Sequence, residues 1–148
     1  MMKSVLIAHT LSTLFMVGLI WFVQVVHYPL FSRVGTATFP AYAALHIRWT
    51  TWVVAPPMLV ELLTGVLLLA LRPPEVASWL LWAGLFLLVV IWSSTWLLQV
   101  PQHANLAEGF NLAAYHRLVR SNWIRTVAWS LRGALALLIW LRATQVTE

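Results

Sequence analysis

Four apolar runs, each long enough to cross a bilayer, hold most of this chain, and each carries polar side chains at helical spacing. Hydrocarbon tolerates polar side chains only where they face protein, water or a ligand. Its backbone groups must be satisfied internally, which leaves helices or a closed barrel. Only 9% of the residues are charged, against roughly 25% in soluble domains. The expected fold is therefore all-α: an integral membrane four-helix bundle with a polar lumen, one domain over residues 1–148.

The spans are placed at about 4–26, 49–71, 78–100 and 123–141, each close to the ~20 residues that cover ~30 Å of hydrocarbon. The first starts after Lys3 as a signal peptide would, but it runs on to Val26 with no small-residue cleavage motif. It is read as a retained helix. Pro29, Pro73 and Pro101 are read as stops, because proline removes a donor and clashes with the preceding turn. Pro56-Pro57 should kink span two, with neighbours satisfying the freed carbonyls. The short connection Arg72–Ala77 forces spans two and three into an antiparallel hairpin. The segments Phe39–Arg48 and Leu112–Asn122 are helix-like, and Asn111 is a good N-cap for the second. Unbroken to Arg142, that last helix would be ~46 Å long. Trp21, Trp49, Trp79, Trp123 and Trp140 lie near span ends, as in an aromatic belt. Trp52, Trp82, Trp92, Trp96 and Trp129 lie deeper and are expected in the core.

Two halves of the chain resemble each other. Gln24 and His27 end span one, and Gln99 and His103 end span three. Tyr42/Leu45 and Tyr115/Leu118 follow, then Arg48-Trp49 and Trp123-Ile124-Arg125. This reads either as two parallel-repeat helix hairpins about an axis along the membrane normal, or as chance similarity between apolar segments.

The polar residues fall at steps of three and four, one face of a helix. Span one offers His9, Thr13, Met16, Ile20, Gln24 and His27, and span two Thr50, Val54, Pro57, Glu61 and Thr64. Span three offers Trp92, Thr95, Gln99 and His103, and span four Leu118, Asn122, Arg125, Trp129, Arg132 and Ala136. Spans two and four start on the same side. Glu61 lies ~18 Å below Trp49 and Arg132 ~14 Å below Trp123, at 1.5 Å per residue. Each charge alone at mid-membrane costs ~2.5–3.5 kcal/mol, so Glu61 and Arg132 are expected to pair. The pair could fix helix register or take part in chemistry.

The chain has no cysteine, which excludes disulfides, thiolate catalysis and thiolate metal sites. There is no Gly-rich phosphate loop or nucleophile elbow. Net charge is +5, carried by eight arginines and one lysine. Because these sit in and beside the spans, the expected partners are membrane lipids or an anionic ligand rather than nucleic acid. His27, His46, His103 and His116 fall on the even-loop side with Arg48, Arg117, Arg120 and Arg125, which makes that side the mouth of the lumen. Neutral imidazoles of His27 and His103 are candidates to ligate a metal or haem iron. Neither His-x-x-His nor His-Glu-x-x-His occurs, so no cofactor is required by the sequence.

The segment Pro101-Gln102-His103-Ala104-Asn105-Leu106, with Asn122-Trp123-Ile124-Arg125, resembles the anthrone oxygenase-like family of small four-helix membrane proteins. Pro29 also fits. The family's pattern is Pro-x-Asn-x-x-Leu, and His103 stands here where asparagine is usual. The resemblance covers mainly the second half of the chain. It implies the four-helix fold and, for the characterised members, oxidation of polycyclic anthrones without metal or flavin.

Three functions remain open at this point. The leading one is a site for a small hydrophobic, aromatic or quinone-like ligand, bound only or oxidised without a cofactor. Arg125 and Arg132 would hold its oxygen and His27 or His103 would accept a proton. Gln24, Gln99, Asn122 and Trp129 would orient it, with Glu61 balancing Arg132. The alternatives are a structural subunit of a larger membrane complex or homo-oligomer, and a haem- or metal-binding protein using His27 and His103. The excess of arginine on the even-loop side places those loops in the cytoplasm, for a protein of a bacterial inner membrane.

Overall fold

The computed structural model describes residues 1–144. Four helices of membrane-spanning length and apolarity account for nearly all of them: α1 Met2–Phe31, α2 Phe39–Leu71, α3 Ser78–Glu108 and α4 Leu112–Thr144. No strand occurs among the described residues. Each helix packs on its neighbour in sequence, and α4 returns to pack on α1. The bundle is therefore a closed ring of four antiparallel neighbours. Its interior is crossed only by side chains.

The helices outrun the predicted spans because two of the prolines do not stop them. Before Pro29 and before Pro101 the backbone opens into a π-helical turn, Val23–His27 in α1 and Thr95–Gln99 in α3. The Tyr28 N–H bonds the Val23 carbonyl and the Val100 N–H bonds the Thr95 carbonyl, each five residues back. Proline would clash with the carbonyl four residues back in an α-helix. The wide turn absorbs that clash, and the chain continues as helix to Phe31 and to Glu108. Pro56 and Pro57 likewise lie inside α2, which runs unbroken from Phe39 through the segment predicted as a separate loop helix. A true stop occurs at Arg72, which takes left-handed geometry (φ 44°) before Pro73-Pro74. Asn111 caps α4 as expected, its Oδ1 accepting from the Ala114 N–H at 3.0 Å. The run to Thr144 is unbroken. Glu148 lies outside the described residues.

The π turns recur at matching places in the two hairpins, which favours the repeat. They also shift its register. With Pro29 opposite Pro101, His27 matches Gln99 rather than His103.

The polar stripes face inward. His9, Thr13, Met16, Ile20 and Gln24 of α1, and Leu118, Asn122, Arg125, Trp129, Arg132 and Ala136 of α4, are all buried. Outside is apolar. Of the deeper tryptophans, Trp129 is fully buried, but Trp52, Trp82 and Trp96 are 61–71% exposed. The expectation that they fill the core was wrong because lipid, unlike water, sets no penalty on an outward indole.

α1 and α4 approach closely at Gly133. A Cβ there would lie 2.9 Å from Val17 Cγ2 and 3.7 Å from Leu14 Cδ2. Small residues let membrane helices close in this way, and a β-branched valine cannot swing aside cheaply. Gly133→Ala is expected to destabilise the bundle by about 1–3 kcal/mol through overpacking, with recovery in Gly133→Ala/Val17→Ala. Thermal unfolding in nanodiscs would measure both.

Candidate functional site

The interior holds two polar layers separated by the Trp129 indole. The deeper layer is built on the ion pair. Arg132 Nε meets Glu61 Oε1 at 3.3 Å, as the depth comparison predicted, and both side chains are buried. Trp129 Nε1 donates to the other carboxylate oxygen at 3.0 Å. Arg132 Nη1 donates to the Gly84 carbonyl of α3. One carboxylate of α2 is thus tied to α4, and α4 to α3. Beneath, His9 Nδ1 bonds Thr64 Oγ1 at 2.9 Å, joining α1 to α2. This layer leaves room for little more than a water molecule, about 20 Å³.

The layer nearer the mouth encloses a cavity of about 280 Å³. Its wall is mostly aliphatic, from Met16, Ile20, Val23 and Val54 among others, and Trp129 forms the end next to the ion pair. Its polar groups are Arg125, Tyr28, His103, His46, Gln99 and the threonines of α2 and α3. Arg125 is anchored by Asn122 Oδ1, which accepts from Nε at 3.0 Å and from Nη2 at 2.6 Å. Asn122 in turn donates to Gln24 Oε1 at 2.8 Å. The Arg125 guanidinium lies 5.8 Å from the Trp129 ring centroid, within cation–π range.

Tyr28 links this arginine to the histidines. Arg125 Nη2 donates to the Tyr28 hydroxyl at 3.4 Å, and that hydroxyl lies 3.0 Å from His103 Nε2. A hydroxyl that accepts from a guanidinium has its own proton free for the imidazole, so the chain runs Arg125 to Tyr28 to His103. A second chain starts at His27, whose Nε2 is 2.8 Å from His46 Nδ1. The His46 and His103 rings approach to 5.1 Å between centroids. Three imidazoles therefore sit side by side at the mouth.

The geometry sorts the predicted residues. Arg125, Gln99, His103 and Trp129 line the cavity. Asn122 and Gln24 stand behind Arg125, and Gln24 also donates to the Val119 carbonyl at 3.3 Å. Arg132 and Glu61 belong to the other layer, so Arg132 does not share a ligand oxygen with Arg125 in this arrangement. His27 reaches the site only through His46, and His103 turns Nε2 to Tyr28. Nε2 of both candidate haem-ligating histidines is thus engaged with protein. Among the described residues no group of three or more His, Cys, Asp or Glu has the geometry to hold a metal.

Tyr28 and His46 were missed from the sequence. A strict 3.6-residue count from Gln24 lands on His27, but the π turn adds a residue and brings Tyr28 inward instead. A Pro one position after the tyrosine was the available signal. His46 was placed at the mouth of the lumen but given no role, because α2 was expected to begin after it.

No protein-family model matches the chain, and neither does any curated protein or solved structure.

Proposed function

We propose that this four-helix membrane protein binds a small hydrophobic molecule, aromatic or quinone-like, in the 280 Å³ cavity and moves a proton on its oxygen. One observation carries this reading: Arg125 is a buried cation facing an apolar cavity, and among the described residues no carboxylate pairs with it. A charge so placed costs several kcal/mol unless matched. An oxygen with developing negative charge is the match, held by charge-assisted hydrogen bonds. The cavity lies just below the roughly 300–1,000 Å³ typical of small-molecule sites, which suits one or two rings.

The roles follow from position. Arg125 holds the oxygen, Trp129 provides a flat wall, and His103 takes the proton directly or through Tyr28. His46 and His27 carry it toward the mouth. An electron-rich anion made in this way is the species that an oxidoreductase without a cofactor would need, with dioxygen as oxidant. The resemblance of 101–106 and 122–125 to anthrone oxygenase-like proteins supports the same class of ligand, an acidic oxygen on an aromatic frame. Glu61 and Arg132 fix the helices.

The test uses 4-nitrophenol, whose phenolate absorbs in the visible. At mildly acidic pH, protein in nanodiscs is expected to raise a saturable phenolate band above that of empty nanodiscs. His103→Gln should weaken it without altering thermal stability. Lack of any saturable band would overturn the reading. Stable capture of other membrane proteins in that event would favour an accessory subunit.

A further inference from the structure

The cavity is not closed toward lipid. α2 and α3 pack together on both sides of the π turn, but Thr95–Gln99 itself makes no approach to α2 among the described residues. At the opening, three cavity-lining residues are exposed on the outside of the bundle: Thr51 of α2, and Val100 and Ala104 of α3. Thr51 and Val54 lie about 3–8 Å below the exposed Trp49, at 1.5 Å per residue, so the opening sits in the upper part of the hydrocarbon. The cause is local. α3 makes its wide turn here to absorb Pro101, and α2 carries Pro56-Pro57 just past Val54. α3 is widened, and α2 carries two residues without a backbone N–H, where a tight pair would need two regular helices.

At the inner end lie Arg125 and an unmet acceptor. Gln99 is buried and lines the cavity, and its Nε2 donates to Ser121 Oγ at 2.8 Å. The Ser121 proton is spent on the Arg117 carbonyl at 2.7 Å, so a flipped amide would find no donor there. Gln99 Oε1 is left without a partner among the described residues. The cavity thus has a polar end that can both donate and accept, an aliphatic wall, and an apolar outlet into lipid.

Building on the ligand site proposed above, we infer that the ligand is a membrane-dissolved amphiphile, an aromatic head with hydroxyl or carbonyl oxygen on an apolar tail. It enters sideways between α2 and α3. The head reaches Arg125 and Gln99 while the tail stays in the opening between Thr51 and Ala104. Lipid provides the local concentration of ligand, and no passage through water is needed.

The experiment compares 4-nitrophenol with its 2-decyl derivative in nanodiscs, reading the phenolate band. Thr51→Trp and Ala104→Trp fill the opening from positions that already face lipid. Phe86→Trp, on an exposed part of α3 that does not line the cavity, is the control. Both filled variants are expected to bind the decyl probe roughly ten-fold or more weakly while holding 4-nitrophenol within about two-fold of wild type, since blocking the tail costs its contacts and leaves those of the head. Phe86→Trp should change neither. Equal binding of the decyl probe by filled and wild-type protein would overturn the sideways route and leave the site itself standing. Equal loss of both probes would overturn it too, because the opening would then be part of the head's pocket. A wild type that binds neither probe would remove the site and this inference together.

Discussion

Glu61→Leu is expected to lower the stability of the bundle by about 3–5 kcal/mol, the usual cost of removing one partner of a buried ion pair. The carboxylate does two jobs at once: Oε1 meets Arg132 and Oε2 accepts from Trp129. Without it, a guanidinium and an indole N–H are left facing each other in a layer with room for about one water. Arg132 cannot snorkel out easily, since it is held deep and its Nη1 is bound to Gly84. The double variant Glu61→Leu/Arg132→Leu should recover more than half of the loss, because removing both charges also removes their desolvation cost. Thermal unfolding of the four proteins of this cycle in nanodiscs decides the matter. If Glu61→Leu unfolds within about 1 kcal/mol of wild type, the pair is no keystone of the register, since surface-like pairs are worth that little.

The second large effect separates stability from binding. Arg125→Met is expected to leave the empty protein about as stable as wild type, within about 2 kcal/mol. A buried cation without a carboxylate is relieved, while Asn122 Oδ1 loses its donor at a cost of about 1–3 kcal/mol. Phenolate affinity should nonetheless fall by about 10- to 100-fold, because a charge-assisted hydrogen bond is worth about 1.5–3 kcal/mol. Arg125→Lys should fail nearly as badly, as an ammonium lacks the planar fork that holds Asn122 and Tyr28 together. The measurement pairs unfolding temperature with the 4-nitrophenol titration. A variant that loses stability and keeps its binding would assign Arg125 a packing role instead.

Much of the architecture could be read directly from spacing. The buried faces of α1 as far as Gln24, and of α4 from Leu118 to Ala136, contain their three-and-four stripes, and a count of rises placed Glu61 and Arg132 at one depth. Hydrocarbon makes such signals strong, because a polar side chain has few other places to go. The errors cluster where that pressure is absent or the period breaks. Trp52, Trp82 and Trp96 point outward because lipid and protein are equally good neighbours for an indole. Tyr28 and the helix beyond Pro29 were missed because a proline was taken as an end when the backbone widened to pass it. The cavity is a property of the space between helices. No single stripe encodes it, and of the residues that line it only Arg125, Gln99, His103 and Trp129 were recognisable beforehand as site residues.

The π turn in α1 makes the cavity chemistry sensitive to chain length as well as to residue identity. It occupies the place of one inserted residue. Deleting one residue between 23 and 27 would let the turn close to an ordinary α-helical one with Tyr28 still inward, whereas closing it at unchanged length would rotate everything beyond by roughly 100°. In that second case the Tyr28 hydroxyl would swing away from Arg125 and His103, which would lose their link although neither had been altered.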